Sequence, residues 1–160
     1  DLNIGSKRKA ILLSVPIGLL MGALIFLDEG SATIFIGLLL ALLIASKYDN
    51  LAFKLGFLVA GSIAVLAVLN GNPFHLIGAL AVMVDAFVDE VLSDRGDRMG
   101  GGMLAMLLKE RPVLKVAVLI LCLVGALPTL LYFVAFLGFD TGYSFVEQIS
   151  LSGGIGRRDA

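Results

Sequence analysis

The chain has 160 residues, of which 59% are hydrophobic and only 16% charged, with a formal net charge of −1. Soluble domains are about 45–50% apolar and about 25% charged, and one of this size still leaves roughly a third of its chain surface in water. The excess therefore excludes an ordinary soluble enzyme, a disordered chain and a disulfide scaffold, and the near-balance of charge excludes a nucleic-acid footprint. An integral membrane protein of a single domain is expected.

Five apolar runs follow in chain order. A hydrocarbon core of about 30 Å asks for about 20 helical residues, fewer where the bilayer thins. The first run, Ala10–Leu27, follows Lys7, Arg8 and Lys9 and has no small-residue cleavage site after it, so it reads as a retained span. The second covers residues 31–46, stopped by Lys47-Tyr48-Asp49-Asn50. The third is Leu51–Leu69, stopped by Asn70-Gly71-Asn72-Pro73. The fourth, Phe74–Leu92, carries acids in its second half. The fifth, Val113–Phe139, is long enough to tilt or to kink at Pro128 but short for two crossings, so it reads as one span. No run shows the alternating pattern of an outer-membrane barrel.

The expected fold is therefore all-α: a five-helix transmembrane bundle, multi-pass in the cell membrane. Ten of the twelve basic residues fall on one side of this layout, and only Arg157 and Arg158 on the other. The positive-inside rule makes the first side cytoplasmic, with the N-terminus inside and the C-terminus outside. Residues 93–112 form the long cytoplasmic loop. Within it the apolar Met99–Leu108 suits a short interfacial helix. Residues 140–160 read as a polar, Gly/Ser-rich tail, either mobile or lying on the surface. The pairs Gly18/Gly22, Gly37/Ala41 and Gly56/Ala60 put small residues four apart, which lets helix backbones approach closely. Packing within the chain explains them more simply than a dimer motif, although a homo-oligomer is compatible.

The candidate chemistry lies between Asp85 and Gly102. Asp85 and Asp89 are one turn apart on a helix face that also carries Gly78 and Ala81, so they point toward other helices rather than lipid. Asp85 lies about 16 Å along the fourth span at 1.5 Å per residue. A carboxylate at such depth costs roughly 2.5–3.5 kcal/mol on insertion scales. Three roles compete for the acids: holding Mg²⁺ or Mn²⁺, relaying protons or a transported ion, or neutralising basic residues.

Their neighbours favour the first role. Asp85, Asp89 and Asp94 form a candidate metal set, because hard divalent ions take carboxylate oxygens, waters and substrate phosphates. Lys47, Arg95 and Arg98, with the backbone of Gly100 and Gly101, suit a phosphate. Asp49 or Glu90 is the candidate general base. Taken singly, Arg95 and Arg98 are ordinary positive-inside anchors and the glycines an ordinary hinge; the clustering carries the reading. The expected function is a membrane enzyme acting from the cytoplasmic face on a phosphorylated lipid or isoprenoid. An ion- or proton-coupled transporter using Asp85 and Asp89, and a small subunit of a membrane complex, are the alternatives.

The Asp85-x-x-x-Asp89 spacing resembles the aspartate-rich helices of membrane prenyltransferases and CDP-alcohol phosphotransferases. The chain lacks the second aspartate-rich motif of the former and the Asp-Gly-x-x-Ala-Arg of the latter, so the resemblance covers these two residues alone. His75, the sole histidine, lies about 15 Å from Asp85 at helical rise and reads as an interfacial cap. Lys54, one turn inside the third span, either snorkels to the interface or pairs with Asp85 or Asp89. Ser14, Ser62 and Thr129 suit hydrogen bonds to their own helix backbone.

Overall fold

The computed structural model describes residues 4–45, 51–99, 102–104, 108 and 111–152, with side chains from residue 11 to residue 142 except at 97. Among these residues the fold is all-α, with six helices and no strand. They are α1 (Ile4–Leu27), α2 (Glu29–Ala45), α3 (Leu51–Leu69), α4 (Leu76–Arg98), α5 (Pro112–Leu123) and α6 (Leu131–Ser152). One helix, α3, is long and apolar enough to cross a membrane; the apolar stretches in α1, α2, α5 and α6 are shorter.

The first four helices form two parallel pairs, α1 with α3 and α2 with α4. Close backbone approach makes each pair possible. A Cβ added at Gly18 would meet the Gly56 carbonyl oxygen at 2.6 Å, and one added at Gly37 would meet that of Ala79 at 2.6 Å. The small residues therefore serve packing within the chain, as their spacing suggests. Two apolar cores result. Ile25, Ala32, Leu39, Ala60 and Ala64 join α1, α2 and α3. Ile34, Val82, Leu114, Val118, Leu127 and Phe136 join α2, α4, α5 and α6.

The turns at one end are locked by polar contacts. Asp28 caps α2, its Oδ2 accepting from the Ser31 N–H at 2.7 Å. The Tyr132 hydroxyl donates to Asp28 Oδ1 at 2.7 Å. Burial raises the Asp28 carboxyl, but the bonds from Ser31 and Tyr132 outweigh it and hold the group below its ordinary pKa. Asn72 donates to the Phe26 carbonyl, tying the α3–α4 turn to the α1–α2 turn. His75 is the N-cap of α4, its Nδ1 accepting from the Gly78 N–H at 2.9 Å. The His75 N–H is in turn held by Thr33 Oγ1. Ser14 and Ser62 bond the carbonyls of Ile11 and Leu58 in their own helices.

The run 113–139 is not one helix. It breaks after Leu123, where Gly125 takes φ +78 and only glycine adopts that conformation without strain. The Gly125 N–H reaches the Cys122 carbonyl and the Leu127 N–H reaches that of Leu121, closing the helix end. The break thus falls at Gly125 rather than at Pro128. The chain then doubles back. Tyr132 lies against Gly30, and Phe139 stacks edge-on with Phe35 at 6.1 Å between ring centroids. Hence α6 runs alongside α2 in the same direction, returning to the end where α1 begins.

Three expectations change accordingly. The run 113–139, expected as one helix, is divided between two. The C-terminal helix heads back toward the end where α1 begins rather than away from it. The stretch after residue 140, expected to be a polar tail, is helical as far as Ser152. The fourth helix also continues to Arg98, through the first part of the expected loop. The interfacial helix expected at 99–108 falls largely outside the described residues.

The close approaches make a contrast to measure. Gly37→Ala forces a Cβ against backbone and is expected to cost about 1–3 kcal/mol. Gly138→Ala, where nothing lies within 4 Å of the added Cβ, is expected to be neutral or slightly stabilising. Thermal unfolding of the two variants in detergent reads the difference.

Candidate functional site

The inward stripe of α4 starts apolar and ends charged. Ala79 and Val82 are buried, and Asp89, two turns past Val82, is only 1% exposed. The N-terminus of α5 arrives at this level. Pro112 occupies the first helical position, where its missing N–H costs nothing. The next N–H groups have no partners within the helix. Asp89 supplies them: Oδ1 accepts from Val113 at 3.1 Å and Oδ2 from Leu114 at 2.6 Å. A carboxylate from α4 therefore caps α5, at the end where the helix dipole favours negative charge. The local cap position, Arg111, makes no side-chain cap bond and adopts a left-handed φ of 49.

Charged side chains surround this contact. The Arg111 guanidinium lies 3.8 Å from Glu90. Lys115, one turn into α5, places its Nζ 2.9 Å from Asp140 Oδ2 of α6. Asp140 is 8% exposed. Arg111 and Lys115 are both near enough to Asp89 to favour its charge electrostatically. Buried ions persist only when paired and hydrogen-bonded, and Asp89 and Asp140 meet that condition.

The sequence-derived site residues separate under this geometry. Asp85 sits one turn before Asp89, half-buried, and no hydrogen bond or ion pair to it occurs among the described residues. Asp89 has both oxygens committed to backbone. Glu90 faces Arg111. Asp94, half-buried, lies five residues past Asp89 and so on a different helix face. Asp85, Asp89 and Asp94 do not form one ligand set: among the described residues no three His, Cys, Asp or Glu side chains gather where a metal ion could be held. Arg95 and Arg98 are exposed in the last turn of α4, where the dipole favours cations. Lys47, Asp49, Gly100 and Gly101 lie outside the described residues. Lys54 is exposed beside a groove between α2 and α3 and pairs with neither Asp85 nor Asp89.

Sequence reasoning missed Arg111, Lys115 and Asp140 as members of this cluster. One signal was available, since Pro112 directly after Lys109-Glu110-Arg111 marks a helix start. Its capping partner was not legible, because Asp89 lies 24 and 25 residues from the groups it accepts from. No protein-family model, curated protein or solved structure matches this chain.

The two neighbouring aspartates are thus expected to differ under one substitution. Asp89→Asn replaces an acceptor oxygen by an NH₂ group facing a backbone N–H. A buried donor left unsatisfied costs about 1–3 kcal/mol, more where charge is involved. Asp85→Asn removes no observed bond and relieves repulsion from Asp89. Denaturant or thermal unfolding in detergent is expected to show Asp89→Asn strongly destabilised and Asp85→Asn near wild type.

Proposed function

We propose that this chain is a multi-pass membrane protein of six crossings that handles a phosphorylated lipid or isoprenoid at its basic face, with Asp85 as the acid that serves the ligand. Exposed apolar side chains support the membrane reading. Leu13, Leu27, Leu58, Leu69, Ile77, Leu131 and Val134, on α1, α3, α4 and α6, are each more than half exposed. Apolar exposure on so many helices exceeds what a soluble monomer tolerates. Helix lengths are compatible: the 17 residues of α2 rise about 26 Å, which modest thinning accommodates. The 12 residues of α5 rise about 18 Å, and residues 124–130 would complete that crossing. Backbone at such depth must find its partners within the protein, and the Gly125 and Leu127 N–H groups bond to the last turn of α5 while the Leu127 side chain is fully buried. Six crossings also return the chain to the side where it began, so all twelve basic residues share one face, a stronger positive-inside bias than five crossings give.

The observation that carries the functional part is the contrast between the committed Asp89 and the neighbouring Asp85, to which no hydrogen bond or ion pair occurs among the described residues. Mg²⁺ and Mn²⁺ need no protein cage; one or two carboxylates, waters and substrate phosphates suffice. Asp85 would provide such a carboxylate, and the exposed Arg95 and Arg98 would take phosphate oxygens. Asp89 would act through structure, by holding α5 against α4.

Native mass spectrometry of the detergent-purified protein, with and without Mn²⁺, tests this. A co-purified phosphorylated lipid retained in Mn²⁺ and lost in chelator is expected, with Asp85→Asn losing it while staying folded. Sealed vesicles that pass protons or cations through wild type but not Asp85→Asn, with no metal-dependent lipid, would contradict the reading in favour of transport.

A further inference from the structure

The parallel pairs leave a gap. Because α1 packs on α3 and α2 on α4, α2 and α3 touch only sparsely. An apolar groove of about 910 Å³ opens between them, within the range of about 300–1,000 Å³ typical of ligand sites. Leu39 and Ala64, both buried, form its floor. Leu43 borders it at one end and Leu69 at the other. At Gly61, in the middle of its α3 wall, nothing lies within 4 Å of an added Cβ, so the groove is open space there. Its single charged member is Lys54, one turn inside α3 at the end shared with Leu43. Lys54 is exposed, and no ion pair to it occurs among the described residues.

We infer that this groove is a binding site for one anionic phospholipid drawn from the surrounding bilayer, its acyl chain lying against Leu39, Ala64 and Gly61 and its phosphate on Lys54. Charge placement selects that occupant. An apolar helix, or a second copy of α3, would bury Lys54 without an anion, which is costly in lipid. A phospholipid puts its phosphate at the level where lysine amines snorkel. Length agrees as well. From Lys54 to Leu69 the groove runs about 22 Å at 1.5 Å per residue, and half of a core of about 30 Å is about 15 Å. A chain anchored at Lys54 thus lies in the groove for the whole depth of its leaflet. The inference rests on the membrane reading but not on Asp85, and the lipid it describes is a bound companion distinct from the metal-dependent ligand.

The test is retention of added lipid by the full chain, purified in detergent with equal phosphatidylglycerol and phosphatidylcholine, and weighed intact without metal. One phosphatidylglycerol per protein is expected, in preference to phosphatidylcholine. Lys54→Gln should weaken its retention about tenfold, as loss of a hydrogen bond to a charged group does. Gly61→Trp, which fills the groove, should abolish it, and Gly61→Ala should not. Asp85→Asn should leave it intact, which separates this site from the one proposed above. Equal retention of both lipids, or indifference to Lys54→Gln, would overturn the assignment. So would a dimer that Gly61→Trp dissociates, which would make a second copy the occupant. If Gly61→Trp fails to fold, the lipid preference and Lys54→Gln still decide.

Discussion

A buried carboxylate that caps a neighbouring helix is the constraint on which this architecture turns. Asp89 belongs to α4 but satisfies the first free N–H groups of α5. Alone at that depth it would be among the costliest groups in the chain. Two backbone donors, a helix dipole and the nearby Arg111 and Lys115 offset part of that cost, and burial remains the larger influence. The capping fixes where α5 starts and against which helix it lies. Gly125 then ends α5 early, and α6 returns beside α2. The Lys115–Asp140 pair closes the hairpin at 2.9 Å. Asp89 is in this sense a positioning residue, and Asp85 inherits the functional interest that sequence spacing had assigned to both.

The rest of the molecule divides between two kinds of packing. Glycine contacts draw α1 onto α3 and α2 onto α4 with little side-chain volume between them. Larger apolar side chains fill the space between α4, α5 and α6. Polar contacts cluster at two levels: Asp28, Asn72, His75 and Tyr132 at one end, and the Asp89 cluster at the other. The same pairing that tightens each half separates α2 from α3, so the groove at Lys54 follows directly from the fold.

Features set by local chemistry were legible in the sequence, and those set by distant partners were not. The bounds of α3 follow from a charged stretch before it and Asn-Gly-Asn-Pro after it. His75 as a cap, and the back-bonded Ser14 and Ser62, follow from residue type and position. The break in 113–139 was harder to read. Apolar residues continue through Val124–Leu130, where Leu127 is buried but Val124 and Leu130 are exposed, and hydropathy does not distinguish an apolar turn from a helix. The helix beyond residue 140 was hidden for the opposite reason: Asp140 looks like the start of a polar tail until Lys115 is placed beside it. The Asp28–Tyr132 bond joins residues 104 apart, and no local pattern announces it.

The doubling back of the chain after α5 is the claim on which the six-crossing account stands, and sidedness tests it most directly. Single cysteines introduced by Ser6→Cys and Ser152→Cys, each in a Cys122→Ser background, can be probed with a membrane-impermeant maleimide in sealed, oriented vesicles. The account predicts that both positions react from the same, cytoplasmic side. Reaction of the two from opposite sides would require an odd number of crossings and contradict it.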